Sequence, residues 1–124
     1  GVILSVGVGG GLGAILRYAV AGWVQPTGVA FNWGIFAVNI TGGFLMGLIV
    51  ELSALKLNLS PDMRAFLTTG ILGGYTTFST FSLDSVLLLQ KGEYGAAAFY
   101  VTGSVVLSIA ALFAGLWLVR ALYA

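Results

Sequence analysis

The chain contains no cysteine and no histidine. The first absence excludes disulfides and thiolate chemistry. The second removes imidazole metal ligands, and with them every Ser/His or Cys/His mechanism. Charge is nearly as scarce: 7% of the 124 residues are charged, where a soluble domain carries roughly a quarter. The net charge of +1 is not gathered into a basic block, so neither nucleic acid nor a polybasic membrane clamp is indicated. What fills the chain instead is apolar, with 59% hydrophobic residues and a mean hydropathy of +1.05. Such a surface cannot be clothed against water. Its solvent is lipid.

A bilayer core about 30 Å thick needs roughly 20 apolar residues per helix. Cutting the chain at its polar and proline punctuation predicts four such runs. They cover about Val2 to Trp23, Asn32 to Leu52, Met63 to Leu89 and Tyr94 to Tyr123. Ser60, Pro61 and Asp62 read as the N-cap, N1 proline and first-turn acid of the third run. The remaining loops are too short for another domain, so the expected fold is an all-α membrane protein, one four-helix transmembrane domain over residues 1–124. The first run is too long and glycine-rich for a cleaved signal peptide. The lack of an initiating Met leads us to expect a few native residues ahead of Gly1.

Four crossings would put Lys56, Arg64 and Arg120 on one side, with Lys91 and Arg17 on the other. Orientation is normally set by a Lys/Arg excess in cytoplasmic loops, and this split is nearly even. Two outcomes fit it: insertion one way with weak bias, or insertion both ways to give an antiparallel dimer. Glycines at four-residue spacing, Gly9 with Gly13 and Gly43 with Gly47, allow close backbone approach either within the chain or across a dimer seam. Gly9, Gly11 and Ala14 also fit a loose dinucleotide fingerprint, but no strand precedes them and no acid follows about 20 residues on.

The most unusual stretch is "GGYTTFSTFS", Gly73 to Ser82, in the middle of the third run. Glycine costs about 1 kcal/mol relative to alanine inside a helix, and the hydroxyls that follow compete for backbone groups. In lipid, non-helical backbone survives only where it is buried in protein or lines a cavity. The stretch therefore predicts two half-helices meeting near the membrane midplane. Transporters use such breaks to hold ions on freed carbonyls and N–H groups, although a kink satisfied by neighbouring hydroxyls also fits.

Phe78 and Phe81 share a helix face. Either they are core or lipid contacts, or their positive ring edges line an anion path with the hydroxyls of Ser79 and Thr80 beside them. Asn39 is the only strong amide inside the second run, past its first residue, and can donate twice; it either joins helices or serves a polar path. Tyr100, Ser104 and Ser108 form a hydroxyl stripe on the fourth run, roughly 12 Å long at 1.5 Å per residue. Arg17 reads as an interfacial side chain that snorkels to the headgroups, or as a charge at a pore mouth.

"GILGGYTTFSTFS" (Gly70 to Ser82), "VNITGG" around Asn39 and "GAILRY" (Gly13 to Tyr18) resemble the Fluc, or CrcB, family of bacterial fluoride channels, over essentially the whole chain. The third-run motif is highly specific; the other two are weak alone. The resemblance implies a dual-topology, multi-pass protein of the bacterial inner membrane, assembled as an antiparallel homodimer with two pores. Fluoride would leave the cytoplasm passively. It further implies that Phe78 and Phe81 are ring-edge ligands, Asn39 a pore donor, and Tyr100, Ser104 and Ser108 a polar track. A structural sodium ion, not transported, would sit at the dimer axis on the main-chain carbonyls of Gly73 and Thr76. Three positions depart from the family pattern: Tyr75 where leucine is common, Asp84 where glutamate is common, and Leu112 where a hydroxyl is frequent.

Fluoride is small and tightly hydrated, so a pore must bind it strongly enough to enter and weakly enough to leave. Amide, hydroxyl and ring-edge donors suit that balance better than a buried Lys or Arg. Two rivals remain in view. A proton-coupled fluoride carrier needs a titratable group at midplane, whereas Glu51, Asp62, Asp84 and Glu93 are all expected at or near the ends of the runs. A small non-conducting assembly protein would use its polar groups only to join helices. An enzyme is the least supported class, because no tuned acid–base pair lies within the runs.

Overall fold

The computed structural model describes residues 1–123, and every regular element among them is helical. Helix α1 spans Val2–Val24, α2 Trp33–Leu55, α3 Pro61–Ala65, α4 Gly73–Tyr75, α5 Phe78–Gln90 and α6 Tyr94–Tyr123, with a π-helical segment Phe66–Leu72 between α3 and α4. Helices α1, α2 and α6 are each long and apolar enough to cross a membrane. The segment from Pro61 to Gln90 is helical in pieces. This is the architecture of a membrane protein.

The helix ends follow local chemistry. Ser60 Oγ accepts the Met63 N–H at 3.1 Å, with Pro61 at the first position and Asp62 in the first turn, as expected. Asn32 caps α2, its Oδ1 accepting the Ile35 N–H at 3.0 Å. Between α1 and α2, the Gln25 amide donates to the carbonyls of Val29 (3.0 Å) and Phe31 (2.9 Å) and accepts the Gly34 N–H at 3.0 Å.

Two backbone-to-backbone seams hold the bundle. Helix α1 lies on the π-helical segment and α4, and α2 lies along α6. A Cβ at Gly9 would come within 2.6 Å of the Phe66 carbonyl, and one at Gly13 would strike the Ile71 carbonyl. On the other seam, Gly43 and Gly47 lie against the carbonyls of Ser108 and Leu112. Both glycine pairs are thus spent on contacts inside one chain. Where α2 ends, Glu51 is buried and pairs with Arg120 Nε at 3.2 Å, while Lys56 lies 5.2 Å from the Tyr123 ring centre. The buried cluster of Phe36, Phe81, Leu88, Ala97 and Tyr100 sits towards the opposite end, beneath the loop that carries Phe31 and Asn32.

Arg17 departs from the snorkelling expectation. Its guanidinium turns into the protein and meets the Gly74 carbonyl at 3.0 Å, because an interrupted helix leaves carbonyls there that need donors. Asp84 was expected at or near the end of a run, and it is level with one. It lies in the interior of α5, half-buried, level with the start of α2, and is held there by side chains from two other helices.

Candidate functional site

The segment breaks at Thr76 (φ −80°, ψ 157°) and Thr77 (φ −145°, ψ 124°), both extended. Gly73, by contrast, is helical at φ −63°, ψ −37°. In a continuous helix each N–H meets the carbonyl four residues earlier, so the bonds that replace this ladder define the site. The Thr77 N–H, which would have met Gly73, goes to Asn39 Oδ1 at 2.9 Å. Asn39 Nδ2 returns a bond to the Thr77 carbonyl at 3.2 Å. The Thr80 N–H, which would have met Thr76, goes to Thr77 Oγ1 at 3.2 Å, making Thr77 the N-cap of α5. Arg17 takes the Gly74 carbonyl. The carbonyls of Gly73 and Thr76 are thereby released from the ladder.

Released carbonyls at an unwound point suit a hard cation such as sodium, so the residues present fit the sodium site expected on Gly73 and Thr76. No group of three or more His, Cys, Asp or Glu that could hold a metal occurs among the described residues.

A cleft of about 420 Å³ opens beside the break. Asn39 and Gly43 of α2 form one wall, Gly73 and Thr76 the floor, Phe78 and Phe81 the α5 side, and Ser104 and Ser108 the α6 side. The hydroxyl oxygens of Ser104 and Ser108 are buried and have no hydrogen-bond partner among the described residues. A buried polar group left unpaired costs about 1–3 kcal/mol. Two of them a helical turn apart mark a wall made to meet something polar. Leu112, one turn further, also lines the cleft and carries no hydroxyl there.

The two phenylalanines are not equivalent. Phe81 is 8% exposed and packs on Tyr100, ring centres 5.3 Å apart, whereas Phe78 is 78% exposed. Their rings are 5.7 Å apart at 50°. Tyr100 is completely buried and lies outside the cleft walls; its hydroxyl donates to Asp84 Oδ2 at 3.0 Å. The same oxygen accepts Asn32 Nδ2 at 2.8 Å. Ser79 and Thr80 also lie outside the walls. The Ser79 hydroxyl is 3.4 Å from that of Thr77, and Thr80 contributes its backbone N–H to the cap. Arg17 sits at the Gly74 carbonyl. The structure thus brings Asn39, Phe78, Phe81, Ser104, Ser108, Gly73 and Thr76 together, and leaves Tyr100, Ser79, Thr80 and Arg17 around them.

Some participants escaped the reading of the sequence. The Thr77 side chain was legible as a polar residue three before Thr80, the spacing of an N-cap bond. Asn32 stood directly before an apolar run, another cap signal, but nothing local paired it with Asp84. The Tyr75 hydroxyl lies 2.9 Å from Thr41 Oγ1, and no spacing rule announces that contact.

Residues 4–116 match the model of the family described as CrcB-like protein, Camphor Resistance (CrcB). The chain belongs to the CrcB family. Among CrcB relatives, a protein of Agrobacterium fabrum is 54% identical over 98% of each chain. One of Rhizobium meliloti is 53% identical over 97% of each. One of Rhodospirillum centenum is 50% identical over 96% of this chain and 95% of its own. All three are named fluoride-specific ion channel FluC.

Proposed function

We propose that the chain is a fluoride-selective channel that lets fluoride leave the cytoplasm passively. The relatives named as fluoride channels set the ion. The observation that carries the reading to a place in the molecule is the cleft at the broken helix, with its pair of buried, unpartnered serine hydroxyls. A narrow path must replace the water stripped from fluoride without trapping it. Ser104 and Ser108 supply O–H donors, and the ring edges of Phe78 and Phe81 supply positive quadrupole without formal charge. Asn39 spends one amide hydrogen on Thr77 and keeps the other of its two for the path. Tyr100 has given its only hydrogen to Asp84, so it backs the Phe81 ring from outside the cleft and is not an anion donor. Ser79, Thr80 and Arg17 support the break.

The assembly belongs to the same proposal: four crossings per chain in the bacterial inner membrane, paired as an antiparallel homodimer. Phe78 is largely uncovered and the cleft is open on one side, so a second copy would complete the wall. A sodium ion on the Gly73 and Thr76 carbonyls of both copies would reach four ligands and place a fixed positive charge near the anion path. Sodium there is structural and is not carried across.

Purified protein in liposomes tests the reading. Fluoride efflux released by a potassium shunt, selective over chloride and indifferent to a proton gradient, is the expected result. Strict coupling to protons would make it a carrier, and absence of flux at every gradient would make it an assembly protein.

A further inference from the structure

Tyr75 is the last residue of α4 and lies directly before the extended pair Thr76 and Thr77. Its side chain points away from solvent, only 7% exposed, with the hydroxyl 2.9 Å from Thr41 Oγ1. Thr41 already sends its single hydroxyl hydrogen back along α2, to the Ala37 carbonyl at 2.8 Å, with the Val38 carbonyl at 3.1 Å. A hydroxyl has one proton and two lone pairs. Tyr75 is therefore the donor. The ring lies against α2 at Gly42, where an added Cβ would approach its Cδ2 to 3.3 Å and would strike Thr76 Cγ2.

Helix α2 thus grips the break at two points, Tyr75 through Thr41 and Thr77 through Asn39. Thr76 lies between them, and its own N–H remains tied to the Leu72 carbonyl at 3.0 Å. With the residues on either side fastened to one rigid helix, the peptide planes around Thr76 have little freedom to turn. The direction of its released carbonyl is set by that grip.

We propose that Tyr75 is a positioning residue for the cation site, its bond to Thr41 holding the Thr76 carbonyl, and through α4 the Gly73 carbonyl, aimed for sodium. This rests on the sodium reading given above. It assigns a purpose to the Tyr75 phenol: a leucine there could fill the space at Gly42 but could not reach Thr41 with a hydrogen bond.

The test is Tyr75→Phe in the full-length protein, which removes the hydroxyl and keeps the ring. Two quantities are read: the sodium concentration for half-maximal fluoride efflux, and the rise in melting temperature between N-methylglucamine chloride and sodium chloride. Half-saturation is expected to climb about threefold to tenfold, the range set by one neutral hydrogen bond. The sodium-dependent rise in melting temperature shrinks accordingly, since ligand stabilisation follows affinity. Thr41→Val should reproduce both effects, and the double variant should add little, because the two groups share one bond. Equal loss of melting temperature in both salts, with half-saturation unchanged in Tyr75→Phe and Thr41→Val, would reduce the bond to packing and overturn the proposal. A wild-type protein indifferent to sodium in both measurements would remove the cation reading itself, and this inference with it.

Discussion

Gly73–Gly74 and Thr76–Thr77 sit almost side by side, and both look like poor helix. They behave in opposite ways. The glycines stay within helical structure, while the threonines leave it. At Gly74 the missing side chain makes room, since a Cβ there would strike the Gly10 carbonyl of α1. At Thr77 the backbone is drawn out by partners elsewhere: Asn39 binds both its N–H and its carbonyl, and its own hydroxyl takes over the next turn. Weak propensity permits a break. A competing set of hydrogen bonds decides where it falls.

The contrast can be broken most forcefully at Asn39. Asn39→Leu leaves the Thr77 N–H unpaired inside the protein, a loss of about 1–3 kcal/mol. Fluoride efflux should fall more than tenfold, and thermal melting in detergent should drop. A variant that conducts and melts like wild type would show that the break forms without its clamp.

Gly74→Ala comes next. The new methyl meets backbone on α1, which cannot swing aside as a side-chain tip can, and overpacking of this kind costs about 1–3 kcal/mol. Melting temperature measures it. No loss there would mean that α1 does not hold α4 as closely as the seam requires.

Replacing either phenylalanine with isoleucine separates ring edge from core. Both changes should reduce fluoride flux, because both rings line the cleft. Phe81→Ile should also lower melting, since an aromatic pair such as Phe81 with Tyr100 contributes about 0.5–1.5 kcal/mol beyond its area. Phe78→Ile should lower it less, its ring being largely exposed within its own chain. Normal flux in both variants would exclude the rings from the ion path.

The smallest effect has the opposite sign. A Cβ at Gly73 would have the Thr68 carbonyl at 3.6 Å as its nearest neighbour, an ordinary contact, and the position is helical and exposed. Gly73→Ala should therefore raise stability by about 1 kcal/mol, the propensity difference alone. A fall instead would mean that Gly73 is glycine for a reason the single chain does not contain, such as close approach of a second copy.

Much of this was legible residue by residue. Ser60-Pro61-Asp62 announced a helix start and became one. The glycine–hydroxyl run located the interruption to within a few residues. The serines at 104 and 108 indicated a polar stripe, and both residues line the cleft. The π-helical segment Phe66–Leu72 was invisible, because its "FLTTGIL" carries no pattern apart from that of an ordinary apolar helix. Arg17 was misjudged for a related reason: a basic residue near a helix end looks the same whether lipid headgroups or an orphan carbonyl awaits it. Asp84 was placed at or near a span end by counting along the chain, but its partners Asn32 and Tyr100, both distant in sequence, were not legible.

Composition and the order of apolar runs by themselves determined that this is a helical membrane protein with a weak point in its third hydrophobic stretch, because lipid compels every backbone group to pair and helices do so locally. Tertiary structure alone decided which peptide units lose their helical partners and which oxygens are released. The groups that replace them, Asn39 and Arg17, come from other helices, and their distance from the break is a property of packed geometry.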